Sequence, residues 1–543
     1  MQQRIAIIDL GSNTSRLIIL AYSPGTSFQL IDQVRERVRL SEGMGAENVL
    51  RPAPMDRAVH LMKVFKALCD ANGIETIIAT ATSAVRDARN QAEFLQRVEQ
   101  EAGLKLRVLS GNEEAYYGYL GAINSTPLIN GLVLDIGGGS LELGRVRQRQ
   151  LTHSTSLPLG AVRLSETFLR SDPIKPSDVR LVNRYVEALL SSIDWLQAAR
   201  GDQLVGLGGT VRALAKMDQR RREYPLDRLH GYVLTLPAIE TLLHEMEDLP
   251  LSKREKLPGL NSDRADVMVG GTLALVRLMR LGGYHDLIVC GQGLREGLFY
   301  EHFLRDLSTP LVPDVRAFSL ANLTELYDVA WAHARHVEVL AVSLFDQLRP
   351  LHGGGSFERA ILSGAALLHD VGVAIDYYNH DDHSAYLIMN AELPGFTHRE
   401  IALMALLAHY HRRGKPDVTP FKGVLTRDDA ECAAKLGALL RLAEYLDRSR
   451  TQVVRSIRCR IQDSSVQLLC QVRGDATTEV WATQRNADLF KQVFKRDVIV
   501  QTQPLKAAEV VAHPIGLEVA PEAEPLWARV QEITQRLKTR LPH

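Results

Sequence analysis

A chain of 543 residues is several times one typical domain, so a prior of about 150 residues per domain predicts three or four. Hydrophobic residues at 45% and charged residues at 24% are ordinary for packed globular protein and exclude disorder as the main state. Lys plus Arg (64) cancels Asp plus Glu (64), so no global field draws in nucleic acid or an acidic membrane, and any polyanion site must be local. The five cysteines are scattered and unpaired in spacing, which predicts a reduced, cytoplasmic setting. No apolar run approaches the length of a membrane helix, and Met1-Gln2-Gln3-Arg4 leads straight into a short strand, which predicts a soluble chain without a signal segment.

In chain order, Ile5 to Ile8 and Leu17 to Ala21 read as strands, followed by a helix from Asp56 to Cys69 closed by Gly73 and a strand at Ile77 to Ala79. A second α/β block opens at Gly131-Leu132-Val133-Leu134-Asp135 and runs to about Phe303, with strands at Gln203 to Leu207 and Leu287 to Cys290. After Thr309-Pro310-Leu311-Val312-Pro313 the period becomes helical up to about Arg450, and nine of the seventeen histidines lie between His333 and His411. Strands return at Ser456 to Gln462 and Val466 to Val472 about the turn Asp463-Ser464-Ser465, then a short helix and Val498 to Val500. The predicted domains are 1–124, 125–308, 309–450 and 451–543.

One internal echo carries the chemistry. Ile5-Ala6-Ile7-Ile8-Asp9-Leu10-Gly11-Ser12-Asn13 has the same plan as Leu132-Val133-Leu134-Asp135-Ile136-Gly137-Gly138-Gly139-Ser140: a buried strand, a carboxylate at its end, then a tight Gly/Ser turn. A third Gly turn, Gly208-Gly209-Thr210, follows the strand ending at Leu207. Glycines after a strand let backbone N–H groups approach an anion, and the repeated aspartates can hold Mg²⁺ directly or through water. A single Asp-x-Gly is ordinarily just a turn. Two matched copies and a third turn predict a clamp on one phosphate chain from opposite sides. That prediction requires both acidic tips and position 114 to face one another across a single narrow gap.

With these motifs in place the sequence resembles the exopolyphosphatase and guanosine pentaphosphate phosphohydrolase family of the actin and sugar-kinase superfamily. The resemblance rests on Asp9 to Ser15, Thr80-Ala81-Thr82-Ser83-Ala84-Val85-Arg86, Ser110-Gly111-Asn112-Glu113-Glu114-Ala115, Asp135 to Glu142, Gly208-Gly209-Thr210 and Arg264-Ala265-Asp266, taken as an ordered set. It implies that Glu114 is the catalytic base for a water attacking a terminal phosphorus. It makes Asp135 and Glu142 Mg²⁺ partners, with Asp9 beside them. Arg86 and Arg264 suit neutralisation of equatorial oxygens, and Gly11, Ser12, Asn13, Gly137, Gly138, Gly139, Ser140, Gly208, Gly209 and Thr210 suit phosphate binding. The adjacent Glu113 argues against a pure binding site, which gains nothing from an extra carboxylate near phosphates.

The histidine-rich region resembles the HD phosphohydrolase superfamily. Leu367-Leu368-His369-Asp370-Val371-Gly372 carries the namesake pair, His333 precedes it, and Asp447 in Ala443-Glu444-Tyr445-Leu446-Asp447 is the candidate closing ligand of a second divalent metal. The competing reading is a buried His–Asp hydrogen bond that ties helices together. His380, His383, His409 and His411 are candidate further ligands or channel residues. Basic runs at Arg220-Arg221-Arg222 and His411-Arg412-Arg413-Gly414-Lys415 are candidate tracks for a polyanion, against the reading as solvated faces.

These observations predict a two-lobed ribonuclease-H-like α/β fold, then an all-α HD-like domain and a small α+β module. The expected activity is Mg²⁺-dependent hydrolysis of terminal phosphate from inorganic polyphosphate, with the added domains extending the cleft for a long chain. Guanosine pentaphosphate is the alternative substrate. An alarmone- or nucleotide-binding regulatory switch is the alternative of another class, as is HD chemistry with the N-terminal half as sensor. No nucleic-acid polymer or membrane is expected as partner, and the family likeness implies a homodimer.

Overall fold

The computed structural model describes residues 2–197 and 199–505. The stretch 506–543, assigned above to the C-terminal module, lies outside the described residues. The chain forms two compact units, Met1–Val315 and Arg316–His543.

Unit 1 uses one sheet plan twice. The first sheet comprises β1 (Gln3–Leu10), β2 (Thr14–Ser23), β3 (Ser27–Arg37), β4 (Thr76–Ala81) and β5 (Arg107–Val108), in the order β3-β2-β1-β4-β5. The second comprises β6 (Gly131–Ile136), β7 (Leu141–Arg147), β8 (Gln150–Leu157), β9 (Gln203–Leu207), β10 (Val233–Thr235) and β11 (Asp286–Val289), in the order β10-β11-β9-β6-β7-β8. In each, an antiparallel three-stranded meander continues on its inner edge into a parallel strand. Both central strands are apolar without alternation, Ile5-Ala6-Ile7-Ile8 and Leu132-Val133-Leu134, because they are covered on both faces. The edge strand β3 is instead mostly exposed and charged, which discourages further pairing.

The helix Pro52–Ala71 starts on a proline whose fixed φ suits the first helical position, and Gly73 at φ +63 follows its end. Its apolar spacing, Met55, Ala58, Val59, Met62, Phe65 and Cys69, seats it on the first sheet's core. Two further helices exchange places between the lobes. Gly111–Ile123, which follows the first sheet in sequence, packs across β6, β7 and β8. Leu294–Phe303, which follows the second sheet, returns to β1 and lays Phe299 and Phe303 against Tyr22 and Phe28. The two helices cross at glycine: a side chain at Gly121 or Gly297 would collide with the backbone of Gly293 or Tyr117.

Unit 2 begins with helices Val315–Leu326, Trp331–Gln347, Ser356–Leu368, His380–Asn390, His398–His409 and Arg427–Tyr445. A three-stranded sheet follows, β12 (Val454–Ile461), β13 (Ser465–Val472) and β14 (Asp497–Pro504), with helices Thr477–Arg485 and Asp488–Phe494 inserted before its last strand. The sheet does not form a separate body. Val454, Ile457, Val466, Leu468 and Cys470 belong to the same apolar core as Leu340, Leu367, Leu403 and Leu440 of the helices.

Candidate active site

The repeated plan of unit 1 sets two hairpin tips against each other. In each tip the residue after the strand closes the turn by one backbone bond, Gly11 N–H to Thr14 O at 3.2 Å and Gly137 N–H to Ser140 O at 3.0 Å. A Cβ at Gly138 would lie 3.2 Å from Ser12 Cβ, and one at Gly139 3.1 Å from Ser12 Oγ. Only residues without side chains let the tips approach so closely. Ser12 Oγ is also 2.9 Å from Ser83 Oγ, which ties the first tip to the segment after β4. The third turn needs glycine for its backbone as well: Gly208 has φ +91, and a Cβ there would lie 2.5 Å from Asp135 Oδ1.

Between these turns is a polar cavity of about 140 Å³, several waters' worth of space. Its wall includes Asp9, Gly11, Ser12, Asn13, Glu114, Asp135, Gly137, Gly138, Ser140, Glu142, Gly208, Gly209 and Arg264 of the sequence-predicted set. The two acidic tips and position 114 therefore share one gap. Gly139 and Arg86 lie instead in an adjoining cavity of about 440 Å³ with Ser110, Gly111, Asn112, Ser156 and Arg163, and Ser140 borders both. Thr210 is not brought to the cavity. It is 1% exposed, and its Oγ1 packs 2.8 Å from where a Cβ of Gly271 would be.

Glu114 sits at the start of helix Gly111–Ile123 and is 8% exposed. Burial and the neighbouring Glu142 carboxylate push its pKa well above the ordinary carboxylate range, against the opposing pull of Arg86, whose guanidinium is paired with Glu114 Oε1. Arg86 also donates to Leu109 O at 2.9 Å, so the guanidinium is fixed from two sides. Glu113 takes no part in the cavity wall. It completes a capping box, accepting from Ser110 N at 2.8 Å while Ser110 Oγ accepts from Glu113 N at 3.2 Å, and it pairs with Arg107. Those bonds, the Ser110 N–H first, hold its pKa down at about 2. The argument from an extra carboxylate beside the phosphates thus does not apply to Glu113; Glu142 is the second carboxylate at the base.

Asp135 and Glu142 are cross-strand partners in the β6–β7 ladder. Burial, with Arg212 pulling the other way, raises Asp135 to about 6; burial and the Asp135 charge raise Glu142 to about 7, and Ser156 Oγ donates to Glu142 Oε1 at 2.8 Å. Asp9 is also raised by burial, and its Oδ1 is buried without a hydrogen-bond partner. Oxygen donors of this kind, one of them unsatisfied, suit a hard divalent cation. They do not close into a compact triad: among the described residues, groups of three metal-binding side chains within 4.8 Å of one another occur only in unit 2. Mg²⁺ tolerates that, because it keeps several waters and takes one or two carboxylates.

Three cations on the cavity wall escaped the sequence reading: Arg16, Arg212 and Arg295. Arg16 is the ladder partner of Asp9. Burial and the neighbouring guanidiniums, Arg212 and Arg295 foremost, depress its pKa to about 8; burial lowers Arg264 to about 10. A group of arginines that weaken one another's charge is electrostatically suited to a polyanion. Arg295 follows a fourth strand and Gly turn, β11 and Gly291-Gln292-Gly293, so the repeated pattern was a usable signal for it. Arg163 Nε donates to Gly139 O at 2.9 Å and its NH2 to Asp87 Oδ2 at 2.7 Å, joining the second tip to the segment that carries Arg86.

In unit 2, His333, His369 and Asp370 come together. Asp447 lies behind them: its Oδ2 is 2.8 Å from His333 Nδ1, while Glu444 Oε2 is 3.1 Å from His333 Nε2 and 3.0 Å from His369 Nε2. The carboxylate between the two rings is therefore Glu444, in helix Arg427–Tyr445, three residues before Asp447. His380 and His411 join Asp370, whereas His409 pairs with Asp382 at 3.0 Å and His383 is half-buried outside the group. Of the basic runs, Arg221 and Arg222 are within 3.4 and 3.6 Å of the buried Asp218, and His411 is fully buried. All five cysteines are free thiols, and no helix among the described residues is long and apolar enough to cross a membrane.

The two repeated sheets with these facing turns define a protein of the two-lobed, ribonuclease-H-like kind. The profile of the Ppx/GppA phosphatase family matches residues 18–306, and that of Ppx/GppA phosphatase domain III matches 315–489. The chain belongs to the Ppx/GppA phosphatase family. It is similar to the Aquifex aeolicus member of that family, at 30% identity over 57% of this chain and 100% of that one, with a TM-score of 0.50. It is likewise similar to an exopolyphosphatase from Cytophaga hutchinsonii, at 26% identity over 55% of this chain and 98% of that one, with a TM-score of 0.52.

Proposed function

We propose that the chain removes terminal phosphate from inorganic polyphosphate in the cavity of unit 1, with Glu114 as the base. The observation that carries this reading is a buried carboxylate of raised basicity, fixed by Arg86, beside two facing Gly/Ser tips and a cluster of arginines. Oxyanions suit the N–H groups of such turns, and phosphoryl transfer asks for alignment and charge neutralisation more than for covalent chemistry. Arg16, Arg212, Arg264 and Arg295 would neutralise the chain's oxygens. Mg²⁺, held by Asp135 and Glu142 with Asp9 nearby, would supply further neutralisation of the transferred group. Glu114 accepts a proton from water as its oxygen forms a bond to the terminal phosphorus; the anhydride P–O bond breaks and the shortened chain departs with the electron pair. Orthophosphate is the second product, and the proton on Glu114 returns to solvent.

Polyphosphate is preferred to guanosine pentaphosphate because no aromatic ring lines the cavity among the described residues, leaving a nucleobase no stacking surface there. The similar Cytophaga protein is an exopolyphosphatase, which points the same way. Side-by-side turnover of long polyphosphate and guanosine pentaphosphate with saturating Mg²⁺ tests the choice. Polyphosphate should give the larger kcat/KM; a larger value for the nucleotide reverses the assignment.

A further inference from the structure

The cavity of unit 1 adjoins a second chamber that the hydrolytic step leaves unused. In-line displacement sets the attacking water and the departing chain on opposite sides of the phosphorus. With Glu114 as base, the water lies on the Glu114 side and the chain extends away from it. Each turnover therefore leaves orthophosphate between Glu114 and a chain long enough to stay bound. While that chain is held it blocks the way past it, so repeated cleavage of one molecule needs a separate way out.

The wall behind Glu114 has the features of one. Ser140 borders both chambers, and Arg86 pairs with Glu114 of the first while lining the second. Glu142 in the first accepts from Ser156 Oγ of the second at 2.8 Å. The partition is main chain alone at Gly139, where a Cβ would lie 2.5 Å from Ser83 Oγ. Beyond it the space widens from about 140 to about 440 Å³. Two guanidiniums, Arg86 and Arg163, attract an anion into it. Asp87 is shared between them, its Oδ1 3.6 Å from Arg86 Nε and its Oδ2 2.7 Å from Arg163 Nη2. An incoming anion competes with that carboxylate and is passed on rather than trapped. We propose that the second cavity is the exit for orthophosphate, with the Arg86–Glu114 pair as its gate and Arg163 as the next cation along it. The proposal rests on the hydrolytic reading of the first cavity. Proton transfer from water to Glu114 neutralises the carboxylate that holds Arg86. The guanidinium keeps its bond to Leu109 O, and its other N–H groups become available to the orthophosphate.

Thr155 and Asn112 line the second cavity and not the first, so Thr155→Trp and Asn112→Trp obstruct the exit alone. Rapid-quench counting of all orthophosphate formed from long polyphosphate at saturating Mg²⁺, beside a fluorescent sensor of the free ion, separates formation from release. Both variants should keep the parent's first-turnover formation rate and free the ion about tenfold more slowly, giving a burst. Release at the parent rate from both, or a first turnover slowed as much as release, overturns the exit and leaves hydrolysis standing. A parent that forms no orthophosphate overturns hydrolysis and the exit together. Should the variants fail to fold, product inhibition of the parent decides. Orthophosphate that re-enters from behind a held chain inhibits noncompetitively against polyphosphate, whereas purely competitive inhibition overturns the proposal.

Discussion

The two hairpins of unit 1 share a topology and differ at the partner of the acid. In the first, Asp9 stands opposite Arg16; in the second, Asp135 stands opposite Glu142. Register puts the partner of each acid on the next strand, so one residue sets the character of each wall. The first becomes a wall of mixed charge, where Arg295 also acts on Asp9, while Arg212 acts on Asp135 of the second. The second has two carboxylates, both raised by burial, that only a cation or a proton relieves. The repeated plan forms the cleft, and the cross-strand partner sets the walls apart: Arg16 suits the first to an anion, and Glu142 suits the second to a cation.

The largest effect should come where both walls meet the base. Glu114→Gln should lower kcat by about 10²–10⁴-fold with a smaller change in KM, the range for losing a positioned base; phosphate release near the parent rate at saturating Mg²⁺ would remove Glu114 from that role. Glu142→Gln or Asp135→Asn should raise the Mg²⁺ needed for half-maximal rate about tenfold or more, about 1.4 kcal/mol of lost binding. Arg16→Met should leave that requirement alone and instead raise KM for polyphosphate about tenfold, as expected for one charge-assisted contact. If Arg16→Met and Glu142→Gln shift the same parameter, the walls do not divide their roles.

The acid limb of activity sharpens the same contrast. Ionised Asp135 and Glu142 are the forms that attract a cation, and their pKa values are about 6 and about 7. At low Mg²⁺ the rate should therefore fall as pH drops from about 7 to 6. Added Mg²⁺ favours the ionised forms and should move the limb to lower pH, whereas a limb fixed at all Mg²⁺ concentrations would assign it to another group. The smallest effect should be structural: Ser12→Ala loses the contact to Ser83 and should cost about 0.5–1.5 kcal/mol in thermal or denaturant unfolding.

Most of the strand plan was legible because both central strands are continuous apolar runs that end in an acid and a Gly turn. Helix ends were less so: Pro52–Ala71 extends the expected Asp56–Cys69 at both ends, since a proline at the first position leaves no apolar signal. Arg16 and Arg212 were missed because each is assigned to the cavity by register or by a turn of helix, not by motif. Glu444 was passed over for Asp447 because one turn separates them, and only the packed helix shows which carboxylate faces His369. Glu113 illustrates the converse: its neighbour enters the cavity while it serves as a cap, a distinction that adjacency in sequence hides.

The shared core of helices and sheet in unit 2 bears on how this protein should be cut for study. A fragment ending at Arg450 would strip Val454, Val466 and Leu468 from beneath Leu340 and Leu440 and present a greasy face to water, inviting aggregation. Expression trials on the C-terminal half are better begun near residue 316 and carried through the last strand of the sheet.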